Sequence, residues 1–236
     1  MDNQPAYYRD SYLQDLDTTI TAINGKQVIC EDTIFYPEGG GQPGDTGQLK
    51  TPDRTISILD TKRDKDTGEI QHEVEDASDL KVGQRITLTL DWDRRYAHMR
   101  MHTALHLLGS LIPVPVTGGS IGAVKSRLDF DLGDHQIDKV DLTTRINELI
   151  TAGHTLEFSS ITDEELDAKP SLVRTMSVQP PRGSGVIRTV RIADIDYQPC
   201  GGTHLNSVSE IGPVEISKIE NKGKRNRRVH LVFLTS

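Results

Sequence analysis

The pattern of hydrophobic and polar positions divides the chain into two parts of different character. Between residues 18 and 90, short segments alternate β-branched and polar residues, and clusters of Gly, Pro and Asp separate them. Alternation with a period of two places the apolar residues on one face of a strand. This part predicts a small all-β unit, with strand segments in 19–36, 55–64, 69–76 and 84–92.

After Asp91 the apolar residues recur at helical spacing. The segment RRYAHMRMHTALHLLGSLI keeps that spacing for about five turns and ends before Pro113, which cannot continue a helix. Helices mixed with non-adjacent strands predict an α+β fold, with an N-terminal β domain at 1–90 and a second domain at 91–236. In the second domain we expect further helices at 138–153 and 162–169, and strands near 116–132, 154–161, 186–192, 212–220 and 226–234.

Composition narrows the classes of function. The 236 residues carry 27 Lys and Arg against 35 Asp and Glu, a net charge of -8, which excludes binding to nucleic acid through a broad basic surface. Any contact with RNA must therefore be local. The N-terminal residues MDNQPAYYRD are neither basic nor apolar, and no segment approaches the ~18 consecutive apolar residues of a membrane span. We expect a cytoplasmic protein without membrane contact.

Two pairs of residues have the spacing of metal ligands. His102 and His106 lie one helical turn apart, so both imidazoles project from the same face. Cys200 and His204 repeat the four-residue step in the glycine-rich loop CGGTH. Three nitrogens and one sulfur suit Zn(II) better than Mg(II) or Ca(II). His98 is too far along the helix axis to join both other histidines on one ion, and we expect it at the rim of the site or on a phosphate.

Spacing alone leaves the metal site and a structural role equally open. Two histidines at i and i+4 on an amphipathic helix are more often core or surface residues, and a single CxxxH is a weaker signal still. The two cysteines, Cys30 and Cys200, are expected as free thiols or metal ligands rather than as a disulfide. The remaining histidines lie among charged or strand residues and are interpreted as structural: His72, His135, His154 and His230.

Four motifs in one order resemble a known family. HTALH at 102–106 and CGGTH at 200–204, with the following LNSVSEIGPVEISKIENKGKRNRRV, are similar to the editing domain of alanyl-tRNA synthetases and to the freestanding AlaX alanyl-tRNA editing proteins. FYPEGGGQPGDTG resembles the glycine-rich segment of the preceding domain, and GSIGAVKSRLDFD the strand after the helix. The resemblance runs from about residue 30 to the C-terminus and fits the medium-length AlaX type, without the aminoacylation domain.

This resemblance implies a fold and a reaction. The fold would be a small β-barrel-like domain followed by an α/β-sandwich editing domain, of the type called the second additional domain of threonyl- and alanyl-tRNA synthetases. The family hydrolyses the ester that joins serine, and sometimes glycine, to tRNA(Ala). Its zinc ligands carry over to His102, His106, Cys200 and His204. Zinc either polarises the ester carbonyl, lowers the pKa of a bound water, or mainly anchors the substrate while another group positions the water. Because four ligands fill a tetrahedral site, either one is loose, with Cys200 the first candidate, or the ion becomes five-coordinate.

The resemblance and the local chemistry also suggest substrate contacts. The Thr103 hydroxyl is a candidate for recognising the serine hydroxyl, with helix packing as the alternative. Gly118, Gly119 and Ser120 either approach the terminal adenosine or form a plain turn. Gly39, Gly40 and Gly41 either support the tRNA end or form a mobile loop. The expected phosphate-contacting edge, unless it is a solvated turn, comprises Lys222, Lys224, Arg225, Arg227 and Arg228, with Arg94 and Arg95 as weaker candidates.

The motifs, the candidate metal ligands and the basic segment are compatible with three functions. The first is a zinc-dependent deacylase of mischarged tRNA acting in trans. The second is a non-catalytic tRNA-binding module that keeps a structural zinc. The third, a zinc hydrolase of small esters or amides, leaves the basic segment without a purpose, and the chain has no HExxH protease motif.

Overall fold

The computed structural model describes residues 4–133, 135–173 and 185–234 of the chain. These residues belong to two compact units, Met1–Tyr96 and Ala97–Ser236. The long helix predicted after Asp91 is present as Trp92–Leu111, and the division between the units lies inside it.

The first unit is a closed antiparallel barrel of six strands. The strands follow one another around the barrel in the order β1, β2, β5, β4, β3, β6. A one-turn helix, α1 (Ala6–Arg9), precedes them. The strands are β1 (Asp15–Asn24), β2 (Gln27–Cys30), β3 (Gly47–Lys50), β4 (Thr55–Arg63), β5 (Ile70–Val74) and β6 (Arg85–Leu90).

Alternating apolar residues fill the barrel interior. On β6, Ile86, Leu88 and Leu90 are buried while the residues between them are not, as the period of two predicts. The predicted segment 19–36 contains a hairpin instead of one strand, with Gly25 at a φ of 62° in its turn. The sequence reading missed β3, because four residues that begin with glycine give too little alternation to recognise.

The second unit combines helices with two antiparallel sheets. One sheet has three strands in the order β11, β10, β9, and the other has four in the order β12, β13, β8, β7. The helices are α2 (Trp92–Leu111), which begins in the first unit, α3 (Lys139–Ala152) and α4 (Asp163–Asp167). The strands are β7 (Val116–Ser120), β8 (Lys125–Asp131), β9 (Leu156–Ile161), β10 (Ile187–Ile192), β11 (Asp196–Pro199), β12 (Val214–Asn221) and β13 (Asn226–Phe233).

Local signals set the ends of α3. The Asp138 side chain accepts hydrogen bonds from two amides of the first turn, and Gly153 ends the helix in the left-handed conformation at a φ of 70°. Leu142, Ile146 and Ile150 recur every four residues and are buried. The α+β class with an N-terminal barrel is confirmed. Within the described ranges, no helix has the length and apolar character needed to cross a membrane.

Candidate metal centre

Helix α2 supplies two of the four candidate ligands. His102 and His106 are 7% and 6% exposed, and their ring centroids are 5.3 Å apart. Around them the helix is buried on almost every side, since Met101, Ala104 and Leu105 are also inside the fold. A well-packed helix holds the two imidazoles in a fixed relation, as a metal site requires.

The loop after β11 supplies the other two ligands. The Cys200 amide donates to the Arg188 carbonyl at 3.0 Å, which continues the pairing of β10 with β11. The Arg188 guanidinium in turn donates to the carbonyl oxygens of Cys200 and Gly202, each at 2.9 Å. His204 follows and is 1% exposed. Arg188 therefore fixes the loop backbone between the two ligands.

The four candidate ligands meet at one point. One ligand atom from each of His102, His106, Cys200 and His204 lies within 4.8 Å of all the others. The Cys200 Sγ atom is 3.2 Å from Nε2 of His204 and 3.5 Å from Nε2 of His102. Neighbouring ligands of a tetrahedral zinc are separated by about 3.4 Å, given bonds of about 2.1 Å. The two distances from Cys200 Sγ and the set of nitrogen and sulfur donors fit a zinc ion.

The charges of the cluster also suit a cation. Burial opposes ionisation of Cys200, but the imidazoles of His102 and His204 hold the pKa of its thiol well below the ordinary 9.0. Burial and the neighbouring His102 keep the pKa of His204 well below 6.5. The lowered pKa of Cys200 favours a thiolate and the lowered pKa of His204 favours a neutral imidazole, and these are the forms that bind zinc.

His106 differs from His204 in its protonation. Burial opposes a charge on its ring, yet the hydrogen bond to Asp196 and the nearby Cys200 raise the pKa of His106 to about 10. The raised pKa favours a protonated ring, and a cation bound at this cluster would compete with that proton. Metal binding at this cluster is therefore expected to release a proton and to strengthen as the pH rises.

Sequence reasoning missed Asp196 and Gln198. Asp196 Oδ2 lies 2.8 Å from Nδ1 of His106, and the Gln198 side-chain amide donates to the same oxygen at 2.9 Å. A strand period of two places Asp196, Gln198 and Cys200 on one face of β11 and its continuation. That alternation in the segment DYQPC was the signal in the sequence that could have identified them.

Thr103 lies inside the fold beside the cluster. It is 0% exposed, and its Oγ1 is 3.2 Å from Nδ1 of His204 and 3.3 Å from the Leu205 amide nitrogen. The hydroxyl thus contacts a candidate ligand directly. This arrangement supports a role in positioning His204.

Three of the other residues predicted to contact substrate lie in one strand of the four-stranded sheet. Gly118, Gly119 and Ser120 are in β7 and pair with β8, so they belong to the strand expected here, and the alternative of a plain turn is wrong. A Cβ on Gly119 would approach the Leu128 side chain to 3.1 Å, closer than an ordinary van der Waals contact. These three residues belong to the four-stranded sheet, whereas Cys200 follows the three-stranded one.

The glycine-rich segment forms a tight turn in the first unit. Gly39 and Gln42 exchange backbone hydrogen bonds of 3.0 and 2.9 Å, and Gly40 and Gly41 between them have φ values of 58° and 83°. This is a two-residue hairpin turn that favours glycine at both positions. The segment therefore contains an ordered turn, and its last glycine, Gly47, begins β3.

Ion pairs occupy part of the predicted basic edge. Arg228 contacts Asp129 through two hydrogen bonds of 2.8 and 2.9 Å, and Arg225 contacts Asp131 at 2.9 Å. Lys222 lies 3.2 Å from Glu220. Neither Lys224 nor Arg227 forms an ion pair within the part of the chain that the structure describes.

Two further expectations are corrected by burial. His98 is 2% exposed, so it does not lie at a rim. Arg95 is 0% exposed and pairs with Asp45, so it is not available to a phosphate. Arg94 donates to the Gly44 carbonyl oxygen at 2.7 Å.

Two family models match the chain. The second additional domain of threonyl and alanyl tRNA synthetases matches residues 187–230, and the class II (A) tRNA synthetases match residues 10–94. The first match contains Cys200 and His204, and the second covers most of the barrel.

Individual relatives cover nearly the whole chain. The alanyl-tRNA editing protein AlaX-M of Methanosarcina acetivorans is 36% identical over 97% of this chain and 98% of its own length. AlaX-M of Saccharolobus solfataricus is 35% identical over 95% of this chain and 96% of its own length. The alanine–tRNA ligase of Pyrococcus abyssi is 30% identical over 91% of this chain, which corresponds to 24% of the ligase.

Proposed function

Because the chain belongs to the AlaX family of alanyl-tRNA editing proteins, we propose that it is an aminoacyl-tRNA deacylase that acts in trans on mischarged tRNA(Ala). Its substrates are Ser-tRNA(Ala) first and Gly-tRNA(Ala) second. The observation that carries the proposal is the meeting of His102, His106, Cys200 and His204, in a chain that matches editing proteins over nearly its whole length.

Zinc is the cofactor we propose for this cluster. His102, His106 and His204 would bind it through imidazole nitrogens and Cys200 through its thiolate. Bound there, zinc supplies a Lewis acid for the ester carbonyl of the substrate. The chain holds the site nearly closed to water, since three of the four ligands are buried and Cys200 is half-buried. Exclusion of bulk water strengthens electrostatic interactions with the reacting ester.

Selectivity for serine over alanine requires a group that interacts with the serine hydroxyl, which the alanine side chain lacks. A hydrogen bond to the serine hydroxyl stabilises by about 0.5 to 1.5 kcal/mol, and a buried polar group left unpaired beside alanine costs about 1 to 3 kcal/mol. The larger part of the selectivity therefore lies in rejection of alanine. We propose Thr103 for this role, because its buried hydroxyl lies beside the candidate ligands, 3.2 Å from Nδ1 of His204.

The tRNA contact we propose is local and lies on the hairpin of β12 and β13. The basic residues Lys222, Lys224, Arg225, Arg227 and Arg228 cluster there on a chain of net charge -8. Lys224 and Arg227 are the strongest phosphate contacts, because carboxylates hold the other three. We further propose the backbone of Gly118, Gly119 and Ser120 for the terminal adenosine, and the turn of Gly39, Gly40 and Gly41 for support of the tRNA end.

Hydrolysis of three substrates in parallel tests this function. Ser-, Gly- and Ala-tRNA(Ala) are incubated with the wild-type chain and with Thr103→Val, and rates are compared at equal substrate concentration. We expect the wild type to hydrolyse Ser-tRNA(Ala) fastest and Ala-tRNA(Ala) least. The valine variant should show a smaller ratio of serine to alanine hydrolysis. Binding of all three tRNAs without hydrolysis of any would identify a tRNA-binding module instead.

A further inference from the structure

The contact between Asp196 and His106 has a role that the proposed function does not include. We propose that Asp196, held by Gln198, is a positioning residue that fixes the ring of His106 and directs its Nε2 atom into the metal site. The inference rests on the proposed metal site and concerns how the chain prepares it.

The hydrogen bond identifies which ring nitrogen carries the hydrogen. Asp196 Oδ2 lies 2.8 Å from Nδ1 of His106, and the carboxylate side chain is 0% exposed. An ionised carboxylate can only accept hydrogen bonds, so Nδ1 of His106 is the donor. When the ring is neutral, its lone pair is then on Nε2, the nitrogen opposite Asp196. This assignment follows from the hydrogen-bond network.

Gln198 keeps the carboxylate in place. Its side-chain Nε2 lies 2.9 Å from Asp196 Oδ2 and 3.1 Å from Nδ1 of His106. An amide N–H cannot accept a hydrogen bond from Nδ1, so both nitrogens donate to the same carboxylate oxygen between them. Gln198 and Asp196 lie two positions apart on β11, the strand that leads into Cys200. Strand β11 therefore carries the two residues that hold His106 and ends beside Cys200.

His204 provides a comparison within the same site. Its Nδ1 lies 3.2 Å from Thr103 Oγ1, which also accepts from the Leu205 amide, and its Nε2 lies 3.2 Å from Cys200 Sγ. His204 thus turns Nδ1 toward a buried oxygen and Nε2 toward Cys200, and the proposed orientation of His106 is the same. The oxygen is a charged carboxylate for His106 and a neutral hydroxyl for His204. A carboxylate makes the ligand nitrogen more basic than a hydroxyl does.

The expected consequence is measurable in metal affinity. Loss of an outer hydrogen-bond partner of a ligand histidine typically weakens metal binding by about 10- to 100-fold. Asp196→Asn keeps the size and an acceptor oxygen but removes the charge, so we expect zinc binding about 10-fold weaker. Asp196→Ala removes the acceptor and should weaken zinc binding by up to about 100-fold. Both variants should still take up zinc at saturation, since all four ligands remain.

Two measurements on the full chain test the inference. Zinc affinity is obtained by competition with a chromogenic chelator for the wild type, for both Asp196 variants and for Asp129→Asn. Asp129 is a matched control, because its carboxylate is also largely buried and paired, but with Arg228 and Arg127 in the other sheet. Zinc affinity should fall in the order wild type, Asn, Ala, and the control should bind zinc like the wild type. Equal zinc affinity in all four proteins would overturn the inference.

The second measurement needs no variant. Nitrogen-15 chemical shifts of the His106 ring in the zinc-bound wild type should show hydrogen on Nδ1 and metal on Nε2. Hydrogen on Nε2 would overturn the inference even if both variants failed to fold. Neither readout depends on hydrolysis, so a chain that binds zinc in this way without deacylating tRNA would refute the proposed function and leave the role of Asp196 intact.

Discussion

Arg95 and Asp45 form an ion pair in the interior of the first unit. Nε of Arg95 lies 3.0 Å from Oδ2 of Asp45, and the side chains are 0% and 1% exposed. The guanidinium also donates to the Ile34 and Ser11 carbonyl oxygens, and the carboxylate accepts from the Tyr36 amide. The pair thereby ties the glycine-rich segment to the first turn of α2.

Removal of one partner of this pair should strongly lower the stability of the barrel. Asp45→Asn leaves a buried guanidinium without its counter-charge, and we expect a loss of about 3 to 5 kcal/mol in the free energy of unfolding. The chain has one tryptophan, and Trp92 stacks on Tyr96, so its fluorescence during urea unfolding reports on this unit. Asp76→Asn, at an exposed ion pair with Arg54, is the control and should lose less than about 1 kcal/mol. Equal losses would contradict this account of the buried pair.

The glycines of the same segment should differ in their tolerance of alanine. A Cβ on Gly44 would lie 2.1 Å from the Thr61 carbonyl oxygen, whereas a Cβ on Gly40 would meet nothing within 4 Å. Gly40→Ala should therefore lower the free energy of unfolding by only about 1 to 2 kcal/mol, the cost of placing alanine in a left-handed backbone conformation. Gly44→Ala should lose clearly more, because backbone has to move. Urea unfolding followed by Trp92 fluorescence measures both, and a smaller loss for Gly44→Ala would show that the loop adjusts freely.

His72 should make the barrel sensitive to acid. Burial lowers the pKa of His72 to about 4, although its hydrogen bond to the Val28 carbonyl opposes this, while the unfolded chain titrates near 6.5. Above pH 6.5 the ring is neutral in both the folded and the unfolded state, so protonation of His72 takes nothing from the free energy of unfolding. Between about 6.5 and 4 the unfolded state takes up the proton first, so stability falls by up to about 3 kcal/mol. Below about 4 there is no further loss from this group.

The pH dependence is measured by urea unfolding at pH 7 and pH 4.5. His72→Gln should lose less stability between the two pH values than the wild type, because it has no ring to protonate. His135→Gln is the control, since His135 is exposed in the second unit. A wild type and a His72→Gln variant with the same pH dependence would show that His72 is not the group that titrates.

The features of the fold that depend on local spacing could be predicted from the sequence. The helix that carries His102 and His106 follows from its apolar period, and the glycines of CGGTH predicted the loop that carries Cys200 and His204. The sequence could not predict the burial of Arg95, because its partner Asp45 lies fifty residues earlier. The contact of Asp196 with His106 depends on how β11 packs against α2, over a separation of 90 residues. Pairings of this range are set by tertiary packing, which local patterns do not encode.

Two basic residues should account for most of the salt-dependent tRNA binding. Lys224→Gln with Arg227→Gln removes two cations that have no carboxylate partner in the described part of the chain, so we expect weaker binding to tRNA(Ala). The slope of log affinity against log salt should become less steep by about two. Arg225→Gln with Arg228→Gln removes paired cations and should change the slope less. Filter binding at several salt concentrations compares them, and equal slopes in all three proteins would identify a solvated turn.

Zinc titration of the metal-free chain tests the central claim most directly. A chelator removes the metal, zinc is added stepwise, and bound zinc and hydrolysis of Ser-tRNA(Ala) are measured in the same samples. Hydrolysis should be lost on removal and return in proportion to bound zinc, with a plateau at about one zinc per chain. The variant with His102→Ala and His106→Ala should neither retain zinc nor regain hydrolysis. Full hydrolysis by the metal-free chain, or full zinc in this double variant, would contradict the account.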